Sequence, residues 1–362
     1  MVRALHPNLK ATGNSKADSF WIMLYEKLDK LVKMQIIICP QSSFHLQESI
    51  VSNFFEPLEK MYHLLSRGFQ FVEQNLIKKQ QLRVSVLSWL GTEEKYFITN
   101  SFSLVFNRDI NTWLPKKFTY KPVHFPPAYE EELRESRERI HQQWIKEFDL
   151  WKEKRNIKFE QWREDFYLSL IKSILSSHRD YHQYIDLLPA PYTCDIKLVN
   201  FLLESLHPIQ IIHSTLQEEG VNKQEFKTST WSYLQSEYFR QIPFIKLYAL
   251  FYSSFARKAG SGQKKPPDRG MTNDLNMLSL LLPYCDAMFI DNQCRACLEE
   301  KDVRDQIEYQ TRVFSLNNKE KFLTYLESLE KDFPPECREK VIELYGQEWI
   351  HTPTQLYKEN HF

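Results

Sequence analysis

Glycine is scarce in this chain, with 8 in 362 residues. That excludes glycine-rich phosphate loops, and neither the dinucleotide fingerprint nor the P-loop pattern occurs. A Gly-x-Ser-x-Gly elbow and a His-Glu-x-x-His pair are absent as well. Net charge is missing too: 47 Lys and Arg balance 47 Asp and Glu. No global electrostatic footprint for nucleic acid exists, so such a partner must be met by a local patch. Apolar runs stay well short of a membrane span, and the opening residues as given carry no signal-peptide core. Six cysteines in a chain of this length do not form a disulfide framework, which points to a reducing cytoplasm. Cys294-x-x-Cys297 has no second pair to complete a four-ligand zinc site, and little around it supports a redox motif.

Aromatic and aliphatic residues are plentiful, and their spacing organises the chain. Trp21, Leu24, Leu28 and Leu31 predict a helix over 20–33, with Asp18 or Ser19 as its cap. Gln35-Ile36-Ile37-Ile38-Cys39 is short, apolar and β-branched, which predicts a strand buried on both faces. A helix from about Ser42 carries His45 and Glu48. From about Phe69 to Trp231 the sequence is mostly helical and strongly charged. Its clearest part, Tyr129 to about Ser176, carries Trp144, Phe148, Trp151, Phe159, Trp162, Phe166 and Leu170 on a helical stripe. Trp113–Pro127, with four prolines, reads as an extended connection. Pro243 suits a first helical turn, ahead of Phe244, Tyr248, Phe251 and Phe255. A loop, Arg257–Gly270, then holds five basic residues.

The most informative stretch is Met271–Glu300. Asp274 opens a short helix with Leu275, Leu278 and Leu282 on one face. A Pro-Tyr-Cys turn follows, and then the apolar run Ala287-Met288-Phe289-Ile290 ends on Asp291. A hydrophobic strand that delivers a carboxylate at its C-terminal edge is how open α/β sheets present active-site groups. Arg312-Val313-Phe314-Ser315-Leu316 reads as a further strand, and Phe322, Leu326 and Leu329 mark the helix after it.

Together the two ends of the chain resemble a PIN-like nuclease domain. The resemblance rests on Ile36–Glu48 with its His45-x-x-Glu48, on Asn273-Asp274-Leu275, and on Leu282-Pro283-Tyr284-Cys285-Asp286 leading into Phe289-Ile290-Asp291. It covers roughly residues 1–65 and 240–332. It implies an α/β fold with a PIN-like parallel sheet flanked by helices, interrupted by a large mainly α-helical insertion. Its boundaries are 1–68 and 232–332 for the two parts of that domain, 69–231 for the insertion and 333–362 for a C-terminal helix and tail. The family also implies a cluster of carboxylates that binds Mg²⁺ or Mn²⁺, hard cations that take oxygen ligands and keep several waters. A bound metal of this kind activates water for attack on a phosphodiester. By position, Glu48, Asp274 and Asp291 match the second, third and fourth acids. The first has no counterpart, because Met1–Pro7 contains neither a strand pattern nor a carboxylate. An in-frame upstream extension of about 5–20 residues, one short strand with its lead-in, is therefore expected.

The resulting expectation is a cytoplasmic, metal-dependent endoribonuclease with Glu48, Asp274 and Asp291 as catalytic and metal-site acids. Lys264, Lys265 and Arg269 would guide an RNA backbone, and a protein partner would use the helical insertion. Each residue also has a simpler reading. Glu48 fits a solvated helix position, Asp274 a helix start favoured by the macrodipole, His45 a packing role and the basic loop a solvated connector. Asp286 reads as structural. The rival class is a non-catalytic helical interaction protein on a degenerate PIN-like scaffold, which the missing first acid favours.

Overall fold

The computed structural model describes residues 15–92, 102–115, 124–189, 194, 199–200, 202–203 and 206–351. Met1–Pro7, and the side chain of Asp18, lie outside the described residues. In chain order the longer elements are α1 (Ser15–Lys33), α2 (Ser43–Ile50), α3 (Phe55–Ser66), α4 (Gln74–Leu90), α5 (Pro127–Glu153), α6 (Phe159–Ser176), α7 (Pro208–Glu218), α8 (Phe226–Leu234), α9 (Pro243–Gly260) and α10 (Met271–Leu281). Then come β1 (Ala287–Phe289), α11 (Asn292–Leu298), β2 (Arg312–Phe314), α12 (Lys319–Lys331) and α13 (Pro335–Tyr345). The chain forms two compact units: residues 1–72, 105–133 and 317–362 make the first, and 73–104 and 134–316 the second.

This architecture corrects the PIN-like α/β expectation. The fold is mostly helical, and among the described residues the only sheet is the two-stranded parallel pair β1–β2. The two expected strands at Ala287 and Arg312 are therefore present, parallel and adjacent. The run at Ile36–Cys39 forms no strand and joins no ladder. Only isolated bridges occur nearby, Gln41 with Gln70 and Phe71 with Phe106. Local β-propensity alone does not make a strand, because a sheet needs a neighbour with matching donors and acceptors.

The aromatic stripe at 129–176 is also not one helix. It divides into α5 and α6 around Asn156, whose φ is +67°. Asparagine is one of the few residues that accept this left-handed conformation, and a single such residue ends a helix.

In the second unit, α9 sits at the centre of the core. It is mostly apolar and buried on nearly every face, with fifteen of its residues buried, from Pro243 through Ala259. A helix of this kind must be wrapped on every side. Proline at its first turn fits, since that position needs no amide donor. α6 covers one side through Phe166, whose ring stacks on Tyr248 at 5.8 Å. Trp144, Trp151 and Trp162 are all buried around it. The Trp151 indole N–H donates to the Tyr252 hydroxyl at 3.0 Å, and the two rings meet edge-on.

The first unit builds its interior differently. Tyr25, Met61 and Leu65 form one small cluster, and Val32, Phe69 and Leu114 another. Asp29 is fully buried between two cations, accepting from Arg67 Nη2 at 3.0 Å and lying 2.7 Å from Lys33 Nζ. Lys33 also donates to the His351 carbonyl, and Trp349 Nε1 donates to the Lys33 carbonyl. Removing one partner of such a set leaves an uncompensated buried charge, a loss of about 3–5 kcal/mol.

Replacing Trp151 with Ala should destabilise the chain by about 3–5 kcal/mol, because both ring burial and the bond to Tyr252 are lost. Trp151→Phe should cost less. Chemical denaturation curves measure both, and an unchanged midpoint for Trp151→Ala would show that the stripe is not core.

Candidate functional site

The second unit brings acidic side chains to one edge of its small sheet. β1 and β2 pair in register Ala287–Arg312, Met288–Val313 and Phe289–Phe314. The pairing continues one residue further, where the Ile290 N–H donates to the Phe314 carbonyl at 2.8 Å. Asp291 follows directly and caps α11, its Oδ1 accepting from the Gln293 N–H at 2.6 Å. Asp274 lies in the first turn of α10, where the helix dipole favours a negative charge. Asp268 precedes the same helix, and its Oδ1 accepts from the Met271 N–H at 3.0 Å. The starts of α10 and α11 adjoin: Cys294 Sγ on α11 lies 3.5 Å from Met271 Sδ on α10.

The same carboxylates bear on the Cys294 thiol. Burial pushes the Cys294 thiol up, and the Asp274 carboxylate, Cys297 and the carboxylates of Asp291 and Asp268 push it further. Three carboxylates thus bear on one buried sulfur. Asp268 and Asp291 are exposed, and Asp274 is half-buried. Cys297 is buried as well, and its thiol is pushed up to about 12, mainly by burial. Thiols held protonated in apolar surroundings are unreactive. Cys294-x-x-Cys297 is therefore internal packing.

The basic residues differ in their surroundings. Arg257 pairs with Glu300 at 2.6 Å and with Asp302, and Lys258 pairs with Glu300. The Ser254 hydroxyl donates to the same Glu300 at 2.8 Å. These two cations tie the end of α9 to the segment after α11. Arg269 pairs with Glu138 at 2.9 Å on the surface, a contact worth little in water. Lys264 and Lys265 are exposed on the loop before Asp268.

Glu48 belongs to the first unit, whereas Asp274 and Asp291 belong to the second. It lies on α2, where its carboxylate, with that of Glu59, adds to burial in raising the Tyr62 hydroxyl. His45 stacks on Tyr62 at 4.8 Å between ring centres. It also closes a capping box: Ser42 Oγ accepts from the His45 N–H at 3.4 Å, and His45 Nδ1 accepts from the Ser42 N–H at 3.3 Å. His45 is thus a structural residue. Sequence reasoning passed over Asp268, although an Asp three residues before a helix start is itself a capping signal.

Among the described residues, no group of three or more His, Cys, Asp or Glu side chains is arranged to hold a metal ion directly. No helix among them is long and apolar enough to cross a membrane. Protein-family models, curated proteins and solved structures were compared with the chain, and none matches.

The His45 cap carries a pH dependence. Burial lowers this imidazole from 6.5 to about 4. Its Nδ1 must be unprotonated to accept the Ser42 N–H. Between those two values the unfolded chain binds more protons than the folded one, so stability rises with pH across this window. The contribution is complete above pH 6.5 and is lost as pH falls toward 4. Urea midpoints should drop over that range, and His45→Gln, which keeps a capping acceptor that does not titrate, should show a smaller drop. Equal slopes in both proteins would disprove the assignment.

Proposed function

We propose that the second unit hydrolyses phosphodiester bonds with the help of Mg²⁺ or Mn²⁺, acting on RNA at the edge formed by Asp268, Asp274 and Asp291. The supporting observation is that the starts of α10 and α11, which carry Asp274 and Asp291, adjoin through Met271 and Cys294 just beyond the C-terminal end of β1. All candidate donors are carboxylate oxygens, which suit a hard cation. Mg²⁺ keeps several waters and is commonly held by only one or two carboxylates plus substrate phosphates. A pair such as Asp274 and Asp291 therefore fits it without a closed cage. Each cap occupies one oxygen, Oδ1, of Asp268 and of Asp291.

When bound, the metal lowers the pKa of a coordinated water and offsets charge on the phosphate. The chain's own groups have simpler tasks. Asp274 and Asp291 hold negative charge at two helix starts, where dipoles and caps fix their positions. Exposed Lys264 and Lys265 attract a phosphate backbone, a salt-dependent contribution. This reading does not use Glu48, which belongs to the first unit. We place the chain in the cytoplasm, consistent with six free cysteines.

A second reading is a non-catalytic interaction protein. It is favoured by the use of Asp268 and Asp291 as helix caps, roles that need no metal. One experiment separates the two. Purified protein with labelled RNA should cleave it with Mg²⁺ or Mn²⁺ and not with chelator. Asp291→Asn should lower the rate by about 100-fold or more, on the scale of losing a group that stabilises transition-state charge, while Glu48→Gln leaves it unchanged. No cleavage with either metal, or an Asp291→Asn variant as fast as the wild type, would favour the second reading.

A further inference from the structure

In the first unit, the loop Asn107–Trp113 is clamped to its surroundings at both ends. At its start, the Asn107 N–H donates to the Gln70 carbonyl at 2.9 Å. The Asn107 side chain accepts from the Gln70 N–H at 3.0 Å and donates to the Gly68 carbonyl at 3.1 Å. Just past its end, the Leu114 N–H donates to Gln35 Oε1 at 2.9 Å, and the Leu114 carbonyl accepts from the Tyr345 hydroxyl at 2.7 Å. Between the clamps Asp109 closes a turn. Its Oδ1 accepts from the Asn111 N–H, and its carbonyl accepts from the Thr112 hydroxyl. A loop held this way presents its side chains in fixed positions, as binding loops on rigid scaffolds do.

Two of the presented side chains have no polar partner. Arg108 is exposed, and among the described residues its guanidinium makes no hydrogen bond or ion pair. It lies 5.0 Å from the centre of the Phe69 ring and over Gly68, where a Cβ would meet Arg108 Nη2 at 2.6 Å. Trp113 is 54% exposed, whereas the other seven tryptophans are buried or half-buried. Its indole N–H makes no hydrogen bond among the described residues. The Trp113 ring sits 6.3 Å from Tyr345, which in turn stacks on Trp349 at 4.6 Å. Phe69 belongs to the cluster with Val32 and Leu114, and Tyr345 packs against that cluster. The cation and the indole therefore border one apolar patch. The cleft under Ile110 and Thr112 holds only about 50 Å³, far below the roughly 300–1,000 Å³ of a small-molecule site. A single exposed apolar residue needs no explanation. A fixed indole sharing a loop with an unpaired guanidinium is a different case.

We propose that this loop binds single-stranded nucleic acid, with a base stacked on Trp113 and a phosphate on Arg108. The site lies within the first unit and uses no metal, so it stands apart from the acidic edge of the second. The occupant follows from the chemistry of the two groups together. Every base has a π face, and aromatic side chains hold single strands by stacking on those faces. The indole N–H remains able to donate to a base edge or a phosphate oxygen. A guanidinium matches a phosphate with two parallel N–H bonds, and Arg108 has no carboxylate to release first. Asp109, the acid of the loop, has its Oδ1 engaged in the turn. An acidic peptide would satisfy Arg108 and leave the indole unused. A duplex would offer phosphates but keep its base faces stacked within the helix. One indole and one cation make a weak site, with a Kd on the order of 10 µM.

Fluorescence anisotropy of labelled oligouridylate, about 12 nucleotides long to fall within the usual site sizes, titrated with the full chain tests the proposal. EDTA is present throughout, so metal-dependent cleavage is read in a separate assay and either result stands without the other. The single strand should bind, and a duplex of the same length should bind about tenfold more weakly or less. Trp113→Ala should weaken binding about tenfold, and Trp113→Phe, which keeps a ring, should weaken it less. Arg108→Gln should weaken binding and make the log–log salt dependence shallower by about 0.7, the share of one phosphate on a single strand. Absence of binding overturns the proposal. So does a duplex that binds as tightly as the single strand, or a Trp113→Ala chain with wild-type affinity. If Trp113→Ala fails to fold by circular dichroism, Arg108→Gln decides: unchanged affinity and salt slope overturn the proposal, and weaker binding with a shallower slope supports it.

Discussion

The second unit depends on the burial of α9. A helix this apolar along most of its length cannot sit at a surface, so the sequence must provide covering elements around it. Tryptophan fills much of that cover. Trp144, Trp151 and Phe166 approach Tyr248 or Tyr252 within 6.5 Å, in tilted, stacked and edge-on arrangements. Large rings bury much apolar area each, and edge-on contacts add to it. The polar atoms among them need partners in the core, and the Trp151 N–H finds one in Tyr252. The same helix locates the acidic edge. α10 and α11 both contact α9, so the starts of these two helices, and the carboxylates on them, are fixed by an apolar surface that carries no chemistry itself.

The first unit reaches order by a different balance. Its clusters are small, and a buried carboxylate with two cations crosses between α1 and the end of α3. Arg67 has a φ of +50°, a conformation disfavoured for its side chain, yet this aims its guanidinium at Asp29 and across the Trp349 ring. Charge pairing in a low-dielectric interior adds little net stability, but it penalises alternative packings, in which a charge would be left alone. The desolvated Lys33 shows the tension directly: burial lowers its pKa, while Asp29 pulls it back up.

Periodicity in the sequence located α1, the Pro243 start of α9, α10, β1 and β2, because each has a strong local signature. Two readings failed for physical reasons of different kinds. Ile36–Cys39 has strand composition, but pairing is a property of two segments, and composition reports on one. The stripe from Trp144 to Leu170 keeps helical spacing across Asn156, so the apolar pattern hides a break made by a single left-handed residue. The carboxylates at 274 and 291 were legible, since an acid ending an apolar run, or opening a helix, has few inexpensive roles. That Glu48 falls in a different compact unit was not legible, because residues of one resemblance can be divided between two units.

The acidic edge also shows why helix capping and ion binding are hard to tell apart. Both use a carboxylate at a helix start, and both draw on the positive end of the dipole. A cap satisfies backbone N–H groups and reduces the negative charge felt nearby. A metal site needs that charge kept, and a second oxygen turned toward the ion. Asp291 meets both demands only if Oδ1 remains on Gln293 while Oδ2 serves the ligand. The cap would then act as an orienting hydrogen bond for the carboxylate, as outer partners of metal ligands commonly do. In that arrangement a helix start that stabilises α11 also prepares Asp291 to bind, and the two roles reinforce each other.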